Sequence, residues 1–188
     1  MKYVIVYAHP HPRSFNRAIL ERVEGILGDG GKDYEVRDLY ALKFNPVLDA
    51  SELASDGKAP RDVEREQRSI GAADVVVFIY PIWWWGMPAI LKGYIDRVFS
   101  LGFAFAIEGE RLTGLLTGKK AVIINTMGSP KELMTHTGYE AAMGTMTDLG
   151  ILGFCGMEVV EHRYLCGVNS VDDAARRRLL DDLASIHF

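Results

Sequence analysis

Three stretches of this chain are almost continuously apolar and rich in β-branched residues: "YVIVYA" (3–8), "DVVVFIY" (74–80) and "KAVIINT" (120–126). A strand with one wet face alternates apolar and polar residues, so runs of this kind demand cover on both faces of a sheet. That condition belongs to parallel strands joined by helical, right-handed crossovers. Mixed runs at "YEVRDLY" (34–40) and "MEVVEHRYLC" (157–166) supply two further strands. Helical patterns separate the runs at 14–28, 60–72, 88–100, 139–153 and 171–187. In 14–28, Phe15, Ala18, Ile19, Val23, Ile26 and Leu27 recur at helical spacing, with Ser14 as N-cap and Gly28 closing the end. In 88–100, Pro88 takes the first helical position and Leu91, Ile95, Val98 and Phe99 form the buried stripe. The alternation predicts an α/β fold: a doubly wound, five-stranded parallel sheet of order 2-1-3-4-5 with helices on both faces.

At 188 residues the expectation is one domain spanning 1–188. No apolar run approaches the roughly 18 residues that would suggest a membrane span, so no membrane insertion is expected. The N-terminus "MKYVIVYAHP" reads as a first strand rather than a signal peptide, which makes the cytoplasm the expected location. A net charge of −4 argues against a nucleic-acid partner. The basic run Arg176 to Arg178 lies among Asp172, Asp173, Asp181 and Asp182 and reads as a solvated, ion-paired helix face. Two cysteines, Cys155 and Cys166, are too few for a disulfide framework or a zinc set, so buried thiols and no metal site are expected. The turn-rich segment 43–59 is expected at the surface, rimming the site.

Ligands of such sheets settle where the strand order reverses, at the carboxyl ends of the strands. Three loops meet there: 9–16, 81–87 and 126–140. The first, "HPHPRSFN", has neither GxGxxG nor a P-loop, but it opens a helix. The N–H groups of Phe15, Asn16 and Arg17, the Ser14 hydroxyl and the His9 imidazole are donors suited to a phosphate, with His11 and Arg13 as weaker candidates. The second, "PIWWWGMP", sets Trp83, Trp84 and Trp85 between prolines, an aromatic wall for a planar ligand. The third, "NTMGSPKELMTHTGYE", offers backbone donors at 126–129 (Thr126, Met127, Gly128 and the residue after them), with His136 and Tyr139 as titratable candidates. A phosphate cradle, an aromatic wall and a donor-rich rim match flavin mononucleotide part for part.

The motifs "HPHPRSFN", "YPIWWWGMPAILKGYIDRVFSLGFAF", the Gly128 loop and "LGILGFCGM" resemble the flavodoxin-like NAD(P)H:quinone oxidoreductases of the DT-diaphorase type, including small bacterial members. The resemblance implies a homodimer with a flavin at each of two sites, reduced by NADH or NADPH and reoxidised by a quinone-like small molecule in a ping-pong cycle. It places His9, Ser14, Phe15, Asn16 and Ala18 on the flavin tail and Pro81, Ile82, Trp83, Trp84 and Trp85 on the ring or ribityl. Trp84 and Trp85 also wall the catalytic pocket, and Phe103 and Phe105 approach the partner subunit's pocket. The chain departs from the family where Met127 replaces a glycine and where His136 and Tyr139 are only the nearest counterparts of a catalytic histidine and tyrosine. Without the C-terminal extension of the larger members, FMN is expected, with FAD the alternative. An electron-carrying flavodoxin and a regulatory subunit bound peripherally to a potassium-efflux transporter are the rival readings.

Overall fold

The computed structural model describes residues 1–53 and 59–188. Of the predicted excursion 43–59, residues 54–58 therefore lie outside the described residues. Strand β1 (Lys2–Tyr7) leads through helix α1 (Phe15–Asp29) to β2 (Asp33–Asp38), then α2 (Arg61–Ala72), β3 (Val75–Pro81) and α3 (Ala89–Val98). A hairpin, β4 (Phe105–Glu108) and β5 (Arg111–Gly114), precedes β6 (Lys120–Thr126). Helices α4 (Lys131–Thr137) and α5 (Tyr139–Gly144), strand β7 (Glu158–Leu165) and helix α6 (Asp173–Asp181) complete the chain.

Five strands pair in parallel in the order β2-β1-β3-β6-β7, the predicted arrangement once the separate hairpin is set aside. The continuous runs are apolar because both faces are covered. Val4, Val6, Val76, Phe78 and Ile123 pack with Val63 and Ile70 of α2 and Leu91, Tyr94 and Val98 of α3. Ile5, Val77, Ile79, Val122 and Ile124 pack with Ile19, Leu20, Val23 and Leu27 of α1 on the other face. Each fully buried aliphatic side chain contributes about 1.5–3 kcal/mol relative to exposure, so the two layers hold the rim of the sheet rigid beneath the loops.

Several local details differ from expectation. Gly28 lies inside the last turn of α1: Gly30 N–H closes the helix by donating to Ile26 O at 3.1 Å, and Gly31, at a left-handed φ of +61°, donates to Gly28 O at 2.9 Å. Pro88 stands one place before the first helical residue of α3, with ψ of 144°. The predicted helix 139–153 is regular only to Gly144; from Thr145 to Gly153 it widens into π-type turns, with Phe154 N–H reaching Leu149 O at 2.9 Å. Part of the expected third loop is α4, set off by Pro130 and by Gly138 at φ +73°. The hairpin was not foreseen, because four-residue strands are too short to show a period. Cys155 is buried but Cys166 only half-buried, and of the basic run Arg176 pairs with Asp173 at 2.7 Å. Among the described residues no helix is long and apolar enough to cross a membrane.

Candidate active site

At the carboxyl end of β1, the cap of α1 is built as the sequence implies, with one donor fewer. Ser14 Oγ accepts Arg17 N–H at 3.1 Å. The N–H groups of Phe15 and Asn16 stay free among the described residues, and the first turn carries no acidic side chain. Arg17 is engaged by Glu21 at 2.9 Å, so the positive end of α1 rather than this guanidinium faces the rim. His9 Nδ1 accepts His11 N–H at 3.1 Å, which leaves Nε2 as the hydrogen-bearing nitrogen of the neutral ring. Its edge rests on Trp83 at 5.8 Å between centroids.

Burial holds the His9 pKa below its ordinary value. The unfolded chain therefore binds more protons than the native one as pH falls through about 6.5, so this residue's contribution to stability is lost on acidification. Urea unfolding compared at pH 7.5 and 5.5 is expected to show a smaller acid loss for His9→Gln than for the wild type.

Asn16 is 3% exposed and donates through Nδ2 to Thr126 Oγ1 at 2.7 Å. Its Oδ1 is buried with no partner. A buried acceptor left unpaired costs about 1–3 kcal/mol, so this oxygen stands as an unmet acceptor at the cavity. Thr126 belongs to strand β6 and Met127 N–H is spent on Leu165 O at 3.0 Å, which leaves Gly128 and Ser129 as the free donors of the expected four among the described residues. These groups surround a cavity of about 430 Å³ lined by His9, Ser14, Phe15, Asn16, Pro81, Ile82, Trp83, Thr126, Met127 and Gly128. His11 joins them, as do Val168 and Asn169 from the loop after β7, which sequence reasoning missed. A Cβ on Gly128 would come within 3.0 Å of Asn169 Nδ2, so glycine there keeps the rim open.

The tryptophans form a two-residue turn. Trp83 N–H donates to Gly86 O at 3.0 Å and Gly86 N–H returns to Trp83 O at 3.1 Å, with Trp84 and Trp85 at φ of +51° and +61°. Two positive φ values mark a type I′ turn, a conformation that Asn-Gly adopts freely and bulky side chains resist. Adjacent rings are thereby thrown in different directions. Trp84, at the apex, is 98% exposed and lines neither cavity; Ala18, within α1, lines neither as well. Trp85 folds back onto Tyr139 with ring centroids 4.1 Å apart.

Trp85 and Tyr139 wall a second cavity, of about 490 Å³, that shares Ile82 with the first. Its sides are apolar (Met87, Met143, Met146, Ile151) and its floor is polar, made by Tyr80, Asn125 and His162. Burial pushes the Tyr80 phenol up to about 12. His136 stands on the exposed face of α4 and lines neither cavity. Phe103 is half-buried with its ring against Gly71, whereas Phe105 pairs with Phe154 at 5.3 Å on an outer face with exposed Ile107, Leu112 and Leu115. The polar floor also escaped sequence reasoning. Its signal was present, since Asn125 interrupts "KAVIINT" at a buried strand position.

A family model described as a flavodoxin-like fold matches residues 1–186. An uncharacterized NAD(P)H oxidoreductase of Haemophilus influenzae is 39% identical over 184 residues, covering 96% of this chain and 91% of the relative. The chain belongs to the flavodoxin-like NAD(P)H:quinone oxidoreductase family. Human ribosyldihydronicotinamide dehydrogenase [quinone] is 34% identical, with 85% of this chain and 78% of the human protein covered. The solved NAD(P)H:quinone oxidoreductase from Methanothermobacter marburgensis superposes with a TM-score of 0.87 at 32% identity, covering 98% of this chain and 96% of that one.

Proposed function

We propose that this protein is a single-domain, flavin-dependent NAD(P)H oxidoreductase that passes a hydride to quinones or similarly flat electrophiles in a ping-pong cycle, working as a homodimer in the cytoplasm. The observation that carries the reading is the orphaned Asn16 Oδ1, buried in a cavity that also collects the free N–H groups of α1 and of Gly128. The donor set suits a flavin. Phe15, Asn16, Ser14 and the His9 Nε2–H would hold its phosphate; Asn16 Oδ1 would accept from its hydroxylated chain, and Gly128 would donate to a ring carbonyl. Bound there, the flavin supplies two-electron redox chemistry, while this chain orients the partners and excludes water. FMN suits the short tail cradle better than FAD.

The adjoining apolar cavity would receive the acceptor, with Trp85 and Tyr139 stacking on its plane. The exposed apolar face of Phe105, Phe154, Ile107 and Leu112 supports pairing of two copies.

The test is spectroscopic. Purified protein titrated with FMN and then mixed anaerobically with NADH or NADPH is expected to turn yellow and then bleach, and addition of a quinone should restore the colour. A protein that stays colourless with excess FMN and FAD would refute the reading.

A further inference from the structure

Beneath the apolar cavity lies a buried polar cluster that the proposed function leaves unused. His162, on β7, has an 8% exposed side chain and lines two cavities: the apolar one, and a second of about 520 Å³ bordered by Lys131, Glu140 and Asp148. The imidazole is thus a partition between the proposed acceptor cavity and an outer one that carries charged side chains. On the outer side its Nδ1 meets Asp148 Oδ1 at 2.7 Å, with Tyr164 OH at 3.2 Å and the Tyr164 ring stacked at 4.0 Å. On the inner side its Nε2 meets Asn125 Oδ1 at 2.7 Å. Asn125 is oriented independently, because its Nδ2 donates to Tyr80 O at 3.3 Å.

A count of hydrogens follows from these contacts. Asn125 Oδ1 accepts only, so Nε2 must carry a hydrogen. The short Nδ1 to Oδ1 contact needs another, bonded to one atom or the other. On these contacts the pair holds one proton more than a neutral histidine beside an ionised aspartate, held by the Asp148 and Asn125 contacts against the burial that lowers the His162 pKa. Asp148 sits in the π-type turns, a distortion that recurs at functional sites, and those turns present Asp148 to His162 while Met146 and Ile151 face the acceptor cavity.

We propose that the Asp148–His162 pair stores the proton taken up by the acceptor after hydride transfer, with His162 the donor at the cavity and Asp148 its positioning residue. The inference rests on the proposed quinone reduction. A quinone that has gained a hydride, two electrons and one hydrogen nucleus supplied by NAD(P)H, is an anion. The Nε2–H turns from Asn125 Oδ1, its resting partner, to the acceptor in the cavity that both residues line; the Nε2–H bond breaks, an O–H bond forms on the reduced acceptor, and the electron pair stays on nitrogen. The imidazole regains its proton from water, reached when the product leaves. The other titratable groups facing the pair are Tyr80 from β3, Tyr164 and Glu161 from β7, Glu140 from α5 and Lys131 from α4.

Two measurements test this. In flavin-free ¹⁵N-labelled protein at pH 7, imidazole NMR is expected to resolve a proton on Nε2 and a second between Nδ1 and Asp148. A single imidazole proton with Asp148 ionised would overturn the proposal. In stopped flow, reoxidation of the reduced wild-type protein by a quinone should slow above the pH at which the pair deprotonates. His162→Gln should reoxidise roughly 10²-fold more slowly at pH 7, the low end of what a positioned general acid contributes, and should lose that alkaline limb. Asp148→Asn, which keeps the shape at residue 148, should flatten the same limb if His162→Gln does not fold. A wild-type rate and pH profile in a folded variant would overturn the donor role. Should the wild type bind no flavin at all, the proposed function fails, whereas the imidazole spectrum still decides whether the pair holds its proton.

Discussion

Trp85→Gly is expected to weaken acceptor binding roughly 10²-fold while leaving the melting temperature nearly unchanged. Two opposed terms explain the unchanged stability. A tryptophan held at φ +61° is strained by about 1–2 kcal/mol, which glycine relieves. Against this stands the lost ring contact with Tyr139, worth about 0.5–1.5 kcal/mol beyond area. Function has no such compensation, because the indole is one wall of the cavity proposed for the acceptor and a central aromatic anchor commonly carries 2 kcal/mol or more of binding. Trp84→Asn is the internal control. Its side chain is 98% exposed, so only the strain is removed, and a rise in melting temperature of about 2–4 °C per kcal/mol recovered is expected. Quinone Michaelis constants and thermal unfolding of both variants check the pair of outcomes. An unaltered acceptor affinity in Trp85→Gly would remove the indole from the site.

That strained turn shows how far the sequence reached. Three adjacent tryptophans between prolines announced an aromatic element at the rim, and the continuous apolar runs announced the sheet that carries it. What the letters did not show was the sign of φ at positions 84 and 85, which sends one ring to solvent and the other to Tyr139. The opening of α1 was legible because a serine cap and a helix start are local features. Val168 and Asn169 were not, because they meet the cradle only through the register of β7 on β6. The floor of Tyr80, Asn125 and His162 is likewise a product of strand register, with Tyr80 opposite Asn125 and Asn125 opposite Tyr164 on neighbouring strands. His136, chosen for its place in the third loop, was turned outward once Lys131–Thr137 formed a helix whose buried side is Met134.

Gly114→Ala tests the part of the fold that sequence periodicity left unseen. Gly114 ends β5, where a Cβ would fall 2.4 Å from Cys155 C and Gly156 N. These are backbone atoms at the close of the π-type turns, pinned by Leu116 N–H donating to Cys155 O at 2.8 Å and by Gly156 at φ +89°. No side-chain rotation relieves such an overlap, so the hairpin must lift away. Overpacking costs about 1–3 kcal/mol, and a clash with fixed backbone stands at the upper end of that range, which lowers the melting temperature of a chain this size by about 6–12 °C. The consequence reaches the proposed dimer, because the hairpin carries Phe105 and holds it against Phe154 on the exposed apolar face. Analytical ultracentrifugation of Gly114→Ala, below its melting temperature, is expected to show a shift toward monomer at concentrations where the wild type is paired. Phe154→Asp, which charges the same face without touching the hairpin's backbone, is expected to give that shift with little loss of stability. If both variants remain paired, the copies meet elsewhere and the aromatic face belongs to the monomer alone.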